Sequence, residues 1–260
     1  MFRPRIIPCL LIRNGGLAKT VKFKDAYYVG DPMNAVRIFN NFEADELIFL
    51  DIDAHKTNGT ISAELVEKIG SEAFMPFSVG GGIKTLESAK KIIESGAEKV
   101  VINTAAAETP ELISKIAENL GSQSVIVSVD VKKDFLNEYK VCVRGGGRAI
   151  ADNLRDYVVR MEKLGAGEII INSIDRDGTM SGYDADLIQV VSETVKIPVI
   201  ALGGAGGFSH FVEAVKAGAS AVAAGSMFLF YGSRKAVLIS YPSEEEKAEI
   251  FRVPVASHVK

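Results

Sequence analysis

Carboxylates and glycines with neighbouring donors are the residues of this chain that could do chemistry. Asp130 sits in Val129-Asp130-Val131 at the top of an apolar run. An acid placed there faces either an open mouth or a polar partner, and it can serve as a general acid or base. Asp51 and Asp53 close another apolar run, and Asp175 and Asp177 follow a third in Asp175-Arg176-Asp177-Gly178-Thr179. Asp177-Gly178 by itself is also an ordinary turn signal. Four glycine or donor sets stand after apolar runs: Gly81-Gly82, Asn103-Thr104, Gly203-Gly204 and Gly225-Ser226. Glycine lets backbone approach an anion closely, and a following helix start presents free N–H groups. Each set taken alone reads equally as a tight turn. Taken as two related pairs, they suit a phosphorylated small molecule with two anionic ends.

The elements that must position these groups follow from periodicity. Short apolar, β-branched runs occur at Ile6–Ile12, Leu47–Ile52, Pro76–Val79, Val100–Ile102, Val125–Val131, Ile169–Ile171, Pro198–Leu202 and Ala221–Ala224. Helix-period segments such as Leu86–Ser95, Pro110–Leu120, Asn153–Leu164 and Phe208–Ala217 separate them. Continuous apolar runs indicate strands buried on both faces, and strand–helix alternation indicates a parallel sheet. Eight such units predict an α/β fold, the (β/α)₈ TIM barrel, whose reactive groups lie beyond the C-terminal ends of the strands. A doubly wound open sheet is the alternative.

The chain also echoes itself. Gly96-Ala97-Glu98-Lys99-Val100-Val101-Ile102-Asn103-Thr104 resembles Gly218-Ala219-Ser220-Ala221-Val222-Ala223-Ala224-Gly225-Ser226, an offset of 122 residues. Ser78-Val79-Gly80-Gly81 matches Ala201-Leu202-Gly203-Gly204, and Ile52-Asp53 matches Ile174-Asp175. The expectation is two duplicated (β/α)₄ halves, about 1–122 and 123–242, within a single domain spanning 1–260. By the same alignment Asp130 corresponds to Leu11. Opposed carboxylates on the first and fifth strands would make an acid/base pair, and this chain supplies one member. Lys132–Ala151, with its three consecutive glycines, reads as a hairpin or mobile loop. Residues 243–260 read as a polar terminal helix or tail with a solvated face.

Four charged residues mark strand starts at the opposite barrel end: Arg5, Glu46, Lys99 and Glu168. Two basic and two acidic groups could form a neutral ring, or they could be four separately solvated strand starts. A net charge of −3 suggests no general affinity for nucleic acid or an anionic membrane. Cys9 and Cys142 lie in apolar or strand-like runs and read as small buried hydrophobes, with neither metal nor cofactor expected. The apolar start, Met1–Ile12, is too short for a signal segment and reads as a strand, which leaves the cytoplasm as the default location.

These motifs together resemble HisF, the cyclase subunit of imidazole glycerol phosphate synthase. The matching stretches include Arg5-Ile6-Ile7-Pro8-Cys9-Leu10, Lys19, Phe49-Leu50-Asp51-Ile52, Ser78–Ile83, Val101-Ile102-Asn103-Thr104-Ala105, Ser173–Thr179 and Gly203-Gly204-Ala205-Gly206. The resemblance covers roughly residues 3–230. It implies a barrel paired with a HisH-like glutaminase, whose ammonia crosses the barrel. It assigns Arg5, Glu46, Lys99 and Glu168 to an ammonia gate and Glu98 to the glutaminase interface. Gly82, Asn103 and Thr104 would bind one phosphate; Asp177, Gly178, Gly203, Gly204 and Ser226 would bind the other.

Departures from the family pattern matter as much. Leu11 stands where the family has a catalytic Asp, and leucine carries no proton. Arg148-Ala149-Ile150 stands near the place of a Thr-Gly loop, and Asn172 and Leu202 replace small hydroxyl residues. The C-terminal stretch from Tyr231 to Pro242 is similar to a HisF-like branch linked to acetamidino-sugar synthesis, in which a separate N-acetyl sugar amidotransferase uses the ammonia. The expectation is an ammonia-conducting subunit. An ordinary cyclase, with Asp51 or Asp175 replacing the lost acid, is the competing expectation, and a related sugar isomerase barrel is a third.

Overall fold

In the computed structural model, which describes residues 3–54, 59–232 and 236–251, the eight apolar runs close into one parallel barrel. The barrel strands are β1 (Arg5–Arg13), β2 (Leu47–Asp51), β3 (Phe77–Gly80), β4 (Lys99–Ile102), β5 (Val125–Lys133), β6 (Glu168–Ser173), β7 (Val199–Leu202) and β8 (Ala221–Ala224). Each pairs in parallel with its sequence neighbours, and β8 closes onto β1 through Arg5↔Ala221 to Pro8↔Ala224. This is a (β/α)₈ TIM barrel, with helices between successive strands.

Strand alternation sorts the side chains into two cores. Ile6, Leu10 and Ile12 point outward into the large core shared with the helices. Ile7 and Cys9 point inward, joining Ile48, Val101, Ile126, Ile170, Ile200 and Ala223, with Leu11 and Leu50 packed against them. Both faces of the sheet are therefore dry, which is why the strands read as unbroken apolar runs.

Three local features depart from the sequence reading. β5 does not stop at Asp130; it runs to Lys133 and pairs antiparallel with Tyr139–Val143, Asp130 opposite Cys142. Asp130 is therefore held inside a strand rather than at its end. The Lys132–Ala151 region is this hairpin, extended by Arg148–Ala149. A second hairpin, Gly16–Val21 with Lys24–Gly30, follows β1, where the sequence reading has no strand. Its own turn is Lys22-Phe23, while Asn14-Gly15, the pair that best forms a tight hairpin turn, folds β1 back onto Gly16–Val21; all four residues have positive φ.

The third departure lies in the C-terminal helix Glu244–Ile250, whose acidic first turn is exposed as expected but whose Lys247 is not. Ser243 and Glu246 form its capping box. Lys247 on this helix is wholly buried. Its Nζ donates to Asp45 Oδ1 (3.0 Å), Glu244 Oε1 (2.6 Å) and the Glu43 carbonyl (3.2 Å), and it lies over the Tyr241 ring. A run of charge looks solvated in sequence, but a lysine can be buried where its three donors are all matched. Residues 233–235, within the Tyr231–Pro242 stretch, and residues 252–260 of the tail lie outside the described residues. No helix among the described residues is long and apolar enough to cross a membrane.

Tyr241 joins this helix to the barrel: its hydroxyl donates to the Ile6 carbonyl (2.7 Å) and accepts from the Asp45 amide (3.0 Å). Tyr241→Phe leaves both backbone groups without that partner, and urea unfolding should show a loss of about 1–3 kcal/mol.

Candidate functional site

A cavity of about 780 Å³ opens at the C-terminal end of the strands. Asp130 and Leu11 both line it, as do Gly82, Asn103 and Thr104 and, from the other half of the chain, Asp177, Gly178, Gly203, Gly204 and Ser226. Two of these glycines are required by their positions. Gly82 (φ +64°) has its Cα packed against the Gly59 carbonyl, and Gly178 (φ +71°) against the Thr20 carbonyl. A side chain at either place would collide with backbone in a conformation that already disfavours one. The Gly178 contact shows how the Gly16–Gly30 hairpin folds over the mouth. Lys22 N donates to the Asp177 carbonyl (2.9 Å), and Lys19 and Thr20 reach the cavity wall.

Asp130 lies at the centre of the polar wall. Asn103 Nδ2 donates to its Oδ2 (3.0 Å) and Asn172 Nδ2 to its Oδ1 (3.1 Å). Burial pushes the carboxyl up to about 7, against the pull of the two amide donors, and the nearby Asp177 charge adds to the rise. A group poised there exchanges a proton readily near neutral pH. Asp177 is raised too, mainly by burial, while Lys19 and the Thr20 hydroxyl (3.3 Å) favour its charged form.

The other acids are engaged elsewhere. Asp51 lines the cavity, but its Oδ1 accepts the amides of Asp53 and Ala54, both at 3.0 Å. Asp53 pairs with Arg13 (2.9 Å). Asp175, expected as a stand-in acid, is not on the cavity wall; its Oδ2 caps the Lys133 amide (3.0 Å). The turn after β6 directs Asp175 toward the hairpin and Asp177 toward the mouth.

The structure adds Arg144 to the first glycine side. Its backbone N–H donates to Thr104 Oγ1 (3.0 Å), and its guanidinium pairs with Glu108 (2.8 Å) while lining the cavity. Its sequence signal was the step from an apolar strand into Arg144-Gly145-Gly146-Gly147. Cys9 and Cys142 are both buried free thiols, and no group of three or more metal-binding side chains gathers among the described residues.

At the opposite end the four charges converge. Arg5 bonds Glu46 through Nη1 and Glu168 through Nη2 (2.9 Å). Lys99 Nζ bonds Glu46 (3.2 Å) and Glu168 (3.0 Å), which closes the ring. Ser78 Oγ adds a bond to Glu46 (2.9 Å). Burial would lower the Arg5 pKa, but the two carboxylates outweigh it and hold the guanidinium charged. Alternation explains the convergence: Arg5, Glu46, Lys99 and Glu168 each lie two residues before an inward apolar side chain, Ile7, Ile48, Val101 and Ile170. Glu98 is exposed beside this ring.

A closed parallel barrel with glycine-rich loops and a titratable carboxylate at its mouth defines a (β/α)₈ protein with a polar-walled cavity at the C-terminal ends of its strands. A family model described as histidine biosynthesis protein matches residues 5–234. The chain is 44% identical over 229 residues to the imidazole glycerol phosphate synthase subunit HisF of Alkaliphilus metalliredigens, covering 88% of this chain and 91% of that protein. It is 50% identical over 243 residues to a Pseudomonas aeruginosa protein provisionally named as a HisF-type subunit of the same synthase, with 93% and 97% covered. A Leptospira borgpetersenii protein, also provisionally named HisF, is 47% identical over 253 residues, with 96% and 100% covered. The chain belongs to the histidine biosynthesis protein family, among its HisF homologues.

The raised Asp130 pKa has a consequence for stability. An acid whose folded pKa lies above its unfolded value contributes stability that is present below about 3.8 and lost as pH rises through about 7. Urea unfolding should therefore show stability falling between pH 4 and pH 8 by an amount on the order of a few kcal/mol. In Asp130→Leu that component of the slope should vanish.

Proposed function

We propose that this chain is the ammonia-conducting subunit of a glutamine amidotransferase complex rather than an efficient cyclase. A HisH-like glutaminase docks on the barrel end that carries the charged ring and Glu98. Ammonia passes the Arg5–Glu46–Lys99–Glu168 ring, crosses the apolar interior and emerges beside Asp130. A separate amidotransferase then uses it to convert the acetamido group of a nucleotide sugar into an acetamidino group. The observation that carries this reading is Leu11. It occupies the cavity wall at the position that the resemblance gives to the second catalytic acid, so the pair formed by position 11 and Asp130 keeps one member. The alternative acids weaken the rescue of a cyclase: Asp51 is held by two backbone amides and Asp175 lies off the wall.

The competing reading, imidazole glycerol phosphate synthesis, draws on the names of the relatives and on the retained glycine sets. Asp177 is then the acid that best fits the place of the missing one, being buried, raised in pKa and on the wall.

Cyclase assays with ammonium and the phosphoribosyl aminoimidazole-carboxamide precursor separate the two. The chain should run about 10²–10⁴-fold below a competent HisF, the usual cost of a missing acid/base group. Leu11→Asp should recover part of that deficit. A full rate in the unaltered chain, or growth of a strain lacking its histidine cyclase when this chain is supplied, would refute the proposal.

A further inference from the structure

Large apolar side chains left in solvent are gathered at the two ends of this barrel. Among the described residues, Ile38 is the one such side chain on the helical flank. Phe42 and Phe74 stand in the loops that lead into β2 and β3, at the end with the charged ring. The rest belong to loops around the cavity mouth. The β5 hairpin carries Phe135 and Leu136 at its tip, 93% and 65% exposed. The Gly16–Gly30 hairpin exposes Tyr27 and Tyr28. Beside it the short antiparallel pair Phe230–Tyr231 with Ala236–Val237 exposes Tyr231, Val237 and the following Leu238. Tyr27 stacks on Phe230 with ring centres 6.0 Å apart, which joins these two into one surface.

β5 lies opposite β1 in the eight-strand ring, so the two apolar surfaces flank the mouth from opposite sides. The hairpins also meet above it: a side chain at Gly146 would begin 3.3 Å from the Phe23 ring. The Phe135–Leu136 tip is firmly tied. Asp134 Oδ1 accepts the amides of Leu136 (2.9 Å) and Glu138 (3.0 Å). The Asp134 amide donates to the Glu138 carbonyl (2.9 Å), and the Asn137 amide to the Asp134 carbonyl (3.0 Å). An apolar pair fixed in this way loses little freedom on being covered, which favours binding.

The exposed parts of Tyr27, Tyr28, Phe135 and Tyr231 alone amount to roughly 500 Å², at about 200 Å² per aromatic side chain. One partner contributes about 800 Å² to a stable interface, so these rings and their aliphatic neighbours supply most of one. The two hairpins, residues 16–30 and 131–149, carry eight lysines and arginines against three acids, in a chain whose net charge is −3. A second copy docked mouth to mouth would set like charge against like charge and close both exits. A different protein, with an acidic rim and apolar recesses for the tip and the tyrosines, matches both features.

Resting on the ammonia-conducting reading, we propose that the sugar amidotransferase docks over the mouth, on the Phe135–Leu136 tip and the tyrosine surface across from it. The basic hairpins steer that enzyme, and the apolar side chains anchor it. Ammonia then moves from the barrel to the acceptor site without entering solvent. The barrel is the middle member of a three-protein complex, with the glutaminase at one end and the amidotransferase at the other.

The test is the complete reaction of this chain with its glutaminase, the sugar amidotransferase and an N-acetylated nucleotide sugar, driven in parallel by glutamine and by ammonium chloride. With the proteins held below saturation, Phe135→Ser together with Leu136→Ser should lower the glutamine-driven rate of acetamidino-sugar formation about tenfold or more, the effect of losing interface anchors. Tyr28→Ser together with Tyr231→Ser should do the same from the other side. Glutamine hydrolysis should stay unchanged, which reports that each variant is folded and seated on its glutaminase. The ammonium-driven rate needs no hand-over and should also stay unchanged. Three outcomes would overturn the docking surface and leave the proposed function standing. One is a glutamine-driven rate equal in the unaltered chain and both variants. Another is a dimer of this chain, seen by sedimentation, that the same substitutions abolish. The third is capture of the chain by phosphatidylglycerol vesicles through the tip, with no binding of the amidotransferase. Product driven by ammonium but not by glutamine in the unaltered chain would refute the proposed function, and the docking surface with it.

Discussion

Eight parallel strands closed into a ring have one inner face, and every second residue of each strand must fill it. That constraint organises the molecule from end to end. Along β1 it places Arg5, Ile7, Cys9 and Leu11 on one line, running from a charged ring through a dry interior to a polar cavity. β2, β4 and β6 repeat the order with Glu46-x-Ile48-x-Leu50, Lys99-x-Val101-x-Asn103 and Glu168-x-Ile170-x-Asn172. A change at one of these positions alters the axis of the barrel and leaves the helices untouched. Leu11 is such a change: it carries the apolar character of the interior up to the cavity wall.

The two polar ends are balanced differently. In the ring, two cations and two carboxylates satisfy one another, with Ser78 completing Glu46. Such a partly buried network offsets the cost of desolvation only because every member is paired. At the mouth, Asp130 has amide donors in place of a cation, so burial prevails and its pKa rises. The closed ring matches each cation to two carboxylates and holds Arg5 charged, whereas the mouth is arranged to exchange a proton.

Much of this was legible in the sequence because it is periodic or local. The eight apolar runs, the glycine sets and the four strand-start charges all follow rules that act over a few residues. The misread parts depend on partners distant in the chain. Lys247 resembled a solvated residue until Asp45, about two hundred residues earlier, came to lie beneath it. Asp175 and Asp177 are near-identical candidates in sequence, and the turn after β6 separates their roles.

The barrel, the end at which each functional group lies and the lack of an acid at position 11 can all be read from the chain as a string of residues. Strand period and residue type suffice for those conclusions. It takes the closed barrel to show that the four charges form a ring, that Asp51 and Asp175 are tied to backbone amides, and that Asn172 has an unmatched oxygen. Hydrogen-bond partners are chosen by proximity across strands, and proximity is a property of the closed barrel rather than of any segment within it.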